Sequence, residues 1–251
     1  MSVAAALTLL VCPACGGTLS ERDGLVCLDC GRHYPVRDGV PVLFPPGSDD
    51  AHAVGRLRSL YHDALARPRV YDFLQRHGGG VPIAARVQET LADTPGGTVL
   101  DVGAGTGMVH DVLPSGATYI WLDNDRLKLR GFRRKDATGL TVLGDATSLP
   151  FGDDTIDVVT MVEVAHHLPD EALSSFLREA ARVARQRFVL VDGLRTPRLR
   201  SRALWAFDLG RYPRTRAELD AALTESFDVR TVTTFRVNHD HVIYECSPRA
   251  H

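Results

Sequence analysis

Short apolar runs bounded by Gly, Pro, Asp or Asn recur along the chain at residues 98–102, 119–122, 140–143, 156–162 and 188–191. Runs of this length read as buried strands rather than helices. Between them the apolar spacing shifts to a helical period, most clearly at Leu173, Phe176, Leu177, Ala180 and Ala184. Strand and helix in alternation predict a mostly parallel sheet with helices on both faces, a doubly wound α/β fold. Thr215-x-x-Glu218 is a capping box that opens a further helix, and 229–237 with 241–246 predict a closing pair of strands, which brings the sheet to seven. Upstream, Leu57, Leu60, Tyr61, Ala64 and Leu65 repeat at helical spacing until Pro68, and a second short helix is expected over 69–77 ahead of Gly78-Gly79-Gly80.

Composition narrows the function classes. The 251 residues include 44% apolar side chains, enough for a packed core, and 29 basic against 31 acidic residues, which argues against non-specific coating of nucleic acid. No apolar run is long enough to span a bilayer. The apolar stretch 3–11 has no preceding Lys or Arg and runs into a cysteine motif, so a cytoplasmic protein without a membrane partner is expected.

That motif is Cys12-x2-Cys15 followed by Cys27-x2-Cys30, with Cys246 alone. A CxxC turn aims two sulfurs at one point, and two such turns complete a tetrahedron around structural Zn2+. Paired disulfides are the alternative, and they fit a secreted domain better than this one. Residues 1–46 are expected to form a zinc ribbon whose loss leaves the sheet folded, since so short a segment holds together only through its metal. Pro45-Pro46-Gly47 ends it; 47–97 is expected to be a helical linker and cap, and 98–251 the sheet domain with a substrate lid around 194–216.

The first strand runs into Val99-Leu-Asp-Val-Gly-Ala-Gly-Thr-Gly107. Glycines at 103, 105 and 107, with Met108 where a dinucleotide fingerprint needs its third glycine, speak against a nicotinamide cofactor. Such a turn still lets backbone approach a ligand closely, and Asp101 beside it can accept hydrogen bonds. Asp123 closes the second strand, where an acid can accept both hydroxyls of a ribose. Asp145 follows the third strand, within reach of an exocyclic amine.

These segments resemble the class I S-adenosylmethionine-dependent methyltransferases, particularly the ubiquinone and menaquinone methyltransferase-like group, over roughly residues 70–193. The glycine turn matches the first motif, 144–159 resembles the adenine loop and fourth strand, and Glu163-Val-Ala-His-His-Leu-Pro169 resembles the segment lining the methyl-donor pocket. The resemblance implies S-adenosylmethionine as cofactor. Gly103 and Gly105 would pack under its methionine portion, Asp123 would hold its ribose, Asp145 with the Ala146 amide its adenine, Glu163 would border the cleft, and Asp101, Ala104 and Asn124 would also belong to the cofactor site. The cysteine segment is similar to the zinc ribbons of bacterial large-subunit rRNA guanine methyltransferases, and to the small zinc-binding subunit that activates several RNA and protein methyltransferases.

In-line methyl displacement needs alignment more than strong acid–base help. His166 and His167 are candidate bases, against a packing role. His239 and His241 are expected to serve the closing hairpin. Six of the ten residues 126–135 are Lys or Arg, which describes a solvated helix face. Seven arginines against Asp208 alone lie between Arg195 and Arg216, interleaved with Trp205, Phe207 and Tyr212. Arg211, Tyr212 and Arg214 are expected to contact an anionic or planar acceptor, against a lid helix with a solvated face. The leading reading is methyl transfer to O, N or C of a small-molecule acceptor. The alternatives are an rRNA or tRNA base methyltransferase gripping RNA through its ribbon, and a non-catalytic cofactor-binding partner module.

Overall fold

The computed structural model describes residues 8–47, 80–94, 96–135, 139–199, 201, 205 and 210–249. The helices expected between 57 and 77, and much of the lid, lie outside them. The N-terminal module contributes β1 (Leu19–Glu21), β2 (Leu25–Cys27), β3 (His33–Tyr34), β4 (Val36–Arg37) and β5 (Val40–Leu43). Then follow α1 (Gly80–Leu91), β6 (Thr98–Val102), β7 (Thr118–Asp123), α2 (Arg126–Arg133), β8 (Leu140–Gly144), β9 (Ile156–Val162) and α3 (Asp170–Val183). The chain closes with β10 (Ala184–Gly193), α4 (Arg216–Thr224), β11 (Phe227–Arg236) and β12 (Asp240–Pro248).

The expected sheet is present with two strands added. Its order is β11-β12-β10-β9-β6-β7-β8-β5-β4. Strands β6 to β10 run parallel, and β12 inserts antiparallel to β10 with Phe188 opposite Cys246. The period of two along each strand sorts side chains into two cores. Leu100, Val102, Ile120 and Leu122 face α3 and α4, whereas Val99, Tyr119, Trp121, Val158 and Val189 face α1 and α2. Ala184 has the helical spacing of its predecessors yet opens β10, because its extended backbone (ψ 124°) already pairs with Ile156. The capping box at Thr215 and Glu218 forms reciprocally as expected.

The extra two strands come from the ribbon. β5 lies parallel to β8, with Val42 opposite Leu143 and Leu43 opposite Gly144. Leu10 bridges Phe151, the Val11 amide donates to the Pro150 carbonyl at 3.0 Å, and Ser148 Oγ donates to the Pro13 carbonyl at 2.8 Å. Leu10, Leu19, Leu25, Tyr34 and Leu43 share one apolar cluster with Leu149 and Phe151. Residues 8–46 therefore pack directly on the sheet, sharing its backbone pairing and one of its apolar clusters. Apolar area too small to stabilise a ribbon alone is completed by the sheet it covers.

Candidate functional site

The glycine turn follows β6 at the carboxyl edge of the sheet. Gly103, Gly105 and Gly107 have φ of +73°, +55° and +83°, in the left-handed region that side chains resist. A Cβ on Gly103 would stand 2.6 Å from Val164 Cγ2, and one on Gly107 2.5 Å from Phe132. The amides of Gly103 and Ala104 donate to the Leu122 carbonyl, and Trp121 Nε1 donates to the Gly105 carbonyl at 2.9 Å, so the turn is folded over the end of β7. This is a cradle open to backbone contact only.

The three acids lie at the ends of successive strands. Asp123 Oδ2 accepts the Gly105 amide and Oδ1 the Asp125 amide, both at 2.9 Å, with Lys128 Nζ 3.7 Å from Oδ2. Each oxygen keeps a second lone pair for a ligand hydroxyl. Asn124 beside it is exposed. Asp145 Oδ1 accepts both the amide and the hydroxyl of Thr147, which fixes the loop and spares Oδ2, and half-buried Ala146 packs behind it. Asp101 behaves differently. Its oxygens accept the Tyr119 hydroxyl at 2.7 Å and the Thr160 hydroxyl at 3.0 Å, and burial pushes its carboxyl up to about 7. It sits in the core beneath the turn, held by the two flanking strands.

On the other side of Val164 stands a cluster that sequence spacing did not reveal. His166 Nδ1 lies 2.6 Å from Asp192 Oδ1, and the His166 amide donates to Asp192 Oδ2 at 2.9 Å. The His167 ring is 4.2 Å from that of His166, and Trp205 meets His166 edge-on at 5.3 Å. Glu163, at φ +57°, places Oε1 3.6 Å from His241 Nε2, while His241 Nδ1 donates to the His239 carbonyl at 3.1 Å. Burial lowers the His241 pKa and keeps the ring neutral. His239 and His241, expected to serve only the hairpin, thus stand beside the candidate base. Their signal was the return of β12 alongside β10, which no local pattern carries.

Among the described residues, four of the five lid arginines pair with acids. Arg195 makes a bidentate pair with Glu218, Arg198 pairs with Asp240, and Arg216 with Asp220. Arg214 is buried and donates to the carbonyls of Ala165, Leu168 and Tyr212 and to Asp170. It ties its own segment to the turn after β9 and to the start of α3. Arg211 and Tyr212 are exposed, and the Tyr212 amide donates to the His166 carbonyl at 3.0 Å. Phe207 and Asp208 lie outside the described residues.

In the ribbon the sulfurs of Cys12, Cys15, Cys27 and Cys30 all lie within 4.8 Å of one another, with Cys12 to Cys30 at 3.7 Å and Cys15 to Cys27 at 3.5 Å. Four thiolates about 2.3 Å from one tetrahedral ion stand roughly 3.8 Å apart, so the set fits Zn2+. Gly16 and Gly31, each at φ +71°, return their amides to Cys12 and Cys27 in two equivalent knuckles. The Cys30 amide holds the Cys27 thiol down to about 7, toward the thiolate a metal needs.

Comparison with known proteins agrees with this geometry. Residues 100–191 match the methyltransferase domain family, and residues 6–39 match the Trm112p-like protein family. A 2-methyl-6-phytyl-1,4-hydroquinone methyltransferase of Synechocystis sp. is 35% identical over 185 residues, 69% of this chain and 56% of that protein. An uncharacterised methyltransferase of Mycobacterium sp. is 38% identical over 85 residues, 33% of this chain and 34% of that protein. The chain thus spans about a third to a half of the curated relatives it matches. Among solved structures, a chain from the complex of the Haloferax volcanii Trm112 methyltransferase activator with a methyltransferase has TM-score 0.63 at 20% identity, covering 74% of this chain and 97% of that one. Synechocystis magnesium protoporphyrin IX methyltransferase with bound S-adenosylmethionine has TM-score 0.59 at 19% identity, over 79% and 100%. Those two likenesses establish the fold. Residues 100–191 thus carry a methyltransferase domain, and a Trm112p-like segment holding the four clustered cysteines precedes it in the chain.

Proposed function

We propose that this protein transfers a methyl group from S-adenosylmethionine to an O, N or C atom of a small-molecule acceptor in the cytoplasm. The observation that carries this reading is the left-handed glycine turn at the end of β6, bonded through Gly105 to Asp123. Gly103, Ala104 and Gly105 would pack under the methionine portion, Asp123 and Asn124 would hold the ribose, and Asp145 with the Ala146 amide the adenine. The bound donor supplies an electrophilic methyl group on a sulfonium sulfur. The chain's own work is to align the acceptor and exclude water. Glu163 borders the cleft, His166 and His167 stand where an acceptor proton would leave, and Arg211 and Tyr212 form the outer edge.

A small acceptor is favoured over RNA because, among the described residues of the lid, Arg195, Arg198, Arg214 and Arg216 are each paired with an acid. Relatives named for a hydroquinone, demethylmenaquinone and a porphyrin point the same way. Among the described residues no helix is long and apolar enough to cross a membrane. The test is calorimetric titration with S-adenosylhomocysteine, followed by incubation with methyl-labelled donor and separation of total RNA from small-molecule extract. Label in the small-molecule fraction is expected. Label in RNA, or absence of donor binding, overturns the reading.

A further inference from the structure

We propose that Asp192 is a positioning residue that holds His166 as proton acceptor for a hydroxyl, so that the acceptor is methylated on oxygen. This rests on the methyltransferase reading above. Asp192 is fixed before it meets the imidazole: Oδ2 accepts the His166 amide and Oδ1 accepts the Gly193 amide at 2.7 Å. An ionised carboxylate only accepts, so the proton between Asp192 Oδ1 and His166 Nδ1 belongs to the ring, and the lone pair is placed on Nε2. A neutral imidazole in water prefers the opposite tautomer, and Asp192 reverses that preference.

Position links this ring to the donor. Val164, two residues before His166, is the side chain that meets Gly103 of the turn, so the segment bearing the base rests against the donor cradle. Asp192 lies near the end of β10 and His166 follows β9, neighbouring parallel strands whose register sets Val191 opposite Val162. Arg214 and the Tyr212 amide pin the same segment from the lid side.

A metal ion shared by Glu163, His166 and Asp192 is the competing account of this cluster. Two ligand atoms about 2.1 Å from one ion at right angles are roughly 3.0 Å apart, whereas His166 Nδ1 and Asp192 Oδ1 are 2.6 Å apart. Between Nδ1 and Oδ1 that spacing fits a shared proton better than a shared ion.

An oriented base matters for some acceptors and not others. A neutral amine already offers its lone pair to the methyl group. A hydroxyl does not, since even a phenol ionises only near about pH 10. In the proposed step the hydroxyl proton moves to His166 Nε2 as the oxygen–methyl bond forms. The methyl–sulfur bond breaks with its electron pair remaining on sulfur, and the products are a methyl ether, a neutral thioether and an imidazolium that returns its proton to solvent.

The test has two arms on the full chain. With 15N-labelled histidine, long-range proton–nitrogen spectra at pH 7.5, assigned by His166→Gln, are expected to show His166 protonated at Nδ1, and Asp192→Ala to shift it toward Nε2–H. A wild-type ring protonated at Nε2 overturns the proposal even where the variant fails to fold. In the second arm, methyl-labelled donor is incubated with small-molecule extract, with catechol and with aniline, and products are heated in hydriodic acid, which releases ether methyls as methyl iodide. Release of the label is expected, with kcat lowered roughly 100-fold in His166→Ala and at least about 10-fold in Asp192→Ala at little change in KM. Label retained as N- or C-methyl overturns the oxygen assignment while keeping the methyltransferase reading. Donor binding without any transfer overturns both.

Discussion

The carboxyl edge of the sheet is built in two ways. Over β6, β7 and β8 the site uses backbone amides and carboxylates from one stretch of chain, Asp101 to Ala146, and each acid sits next to the strand that places it. Over β9, β10 and β12 it uses Glu163, His166, Asp192 and His241, drawn from distant segments and brought together by strand order alone. On the proposed reading the first half would meet a donor of constant shape, for which local geometry suffices, and the second would face the acceptor, through tertiary contacts that can vary without disturbing the turn.

The largest separation of the two halves is expected from Asp123→Ala. Loss of two hydrogen bonds to a charged acceptor should weaken S-adenosylhomocysteine binding roughly 100-fold or more by calorimetry, with the His166 spectrum unchanged. A parallel change in both would mean the halves are one unit. Arg214→Ala acts on the acceptor half: it strips donors from the Ala165 and Leu168 carbonyls and from Asp170, and is expected to cost about 3 kcal/mol in denaturant unfolding. Donor affinity should change less than stability.

Asp101 tests the support beneath the donor half. Its folded form keeps a proton up to about pH 7, whereas the unfolded chain releases it near the ordinary value of 3.8. The folded state therefore binds more protons across that window, and the stability this group contributes at low pH is lost as pH rises from about 4 through about 7. Asp101→Asn should lack that decline and be more stable at pH 8 by roughly 2 kcal/mol, read from denaturant midpoints. The smallest expected effect is that of zinc removal on the donor. Because Leu10, Val11 and Pro13 brace residues 148–151 behind the adenine loop, chelation should weaken donor binding about 10-fold. Unchanged affinity in the zinc-free protein would detach the ribbon from the site.

The order of strands and helices from 98 onward, the glycine turn and the cysteine knuckles were legible because each is written in local spacing. Asp192 was not, since it stands just past the apolar run 188–191 like any strand-end acid, and only its neighbour β9 reveals the imidazole it meets. The lid arginines misled for the same reason. Part of their local excess of charge is answered by Asp170 and Asp240, which a linear reading does not set beside them. Asp101 stands in the motif where a ligand contact is expected, yet Tyr119 and Thr160 from the flanking strands claim it.

The pairing of β5 with β8 has a bearing on self-association. Without that pairing β8 would be an outermost strand, fully buried in side chain and unpaired in backbone, a template for aggregation. The ribbon replaces it at the rim with β4, two residues long and carrying the exposed Arg37, which offers little for another copy to extend. A truncated protein beginning after residue 47 would thus be expected to precipitate through its own sheet before its chemistry could be assayed.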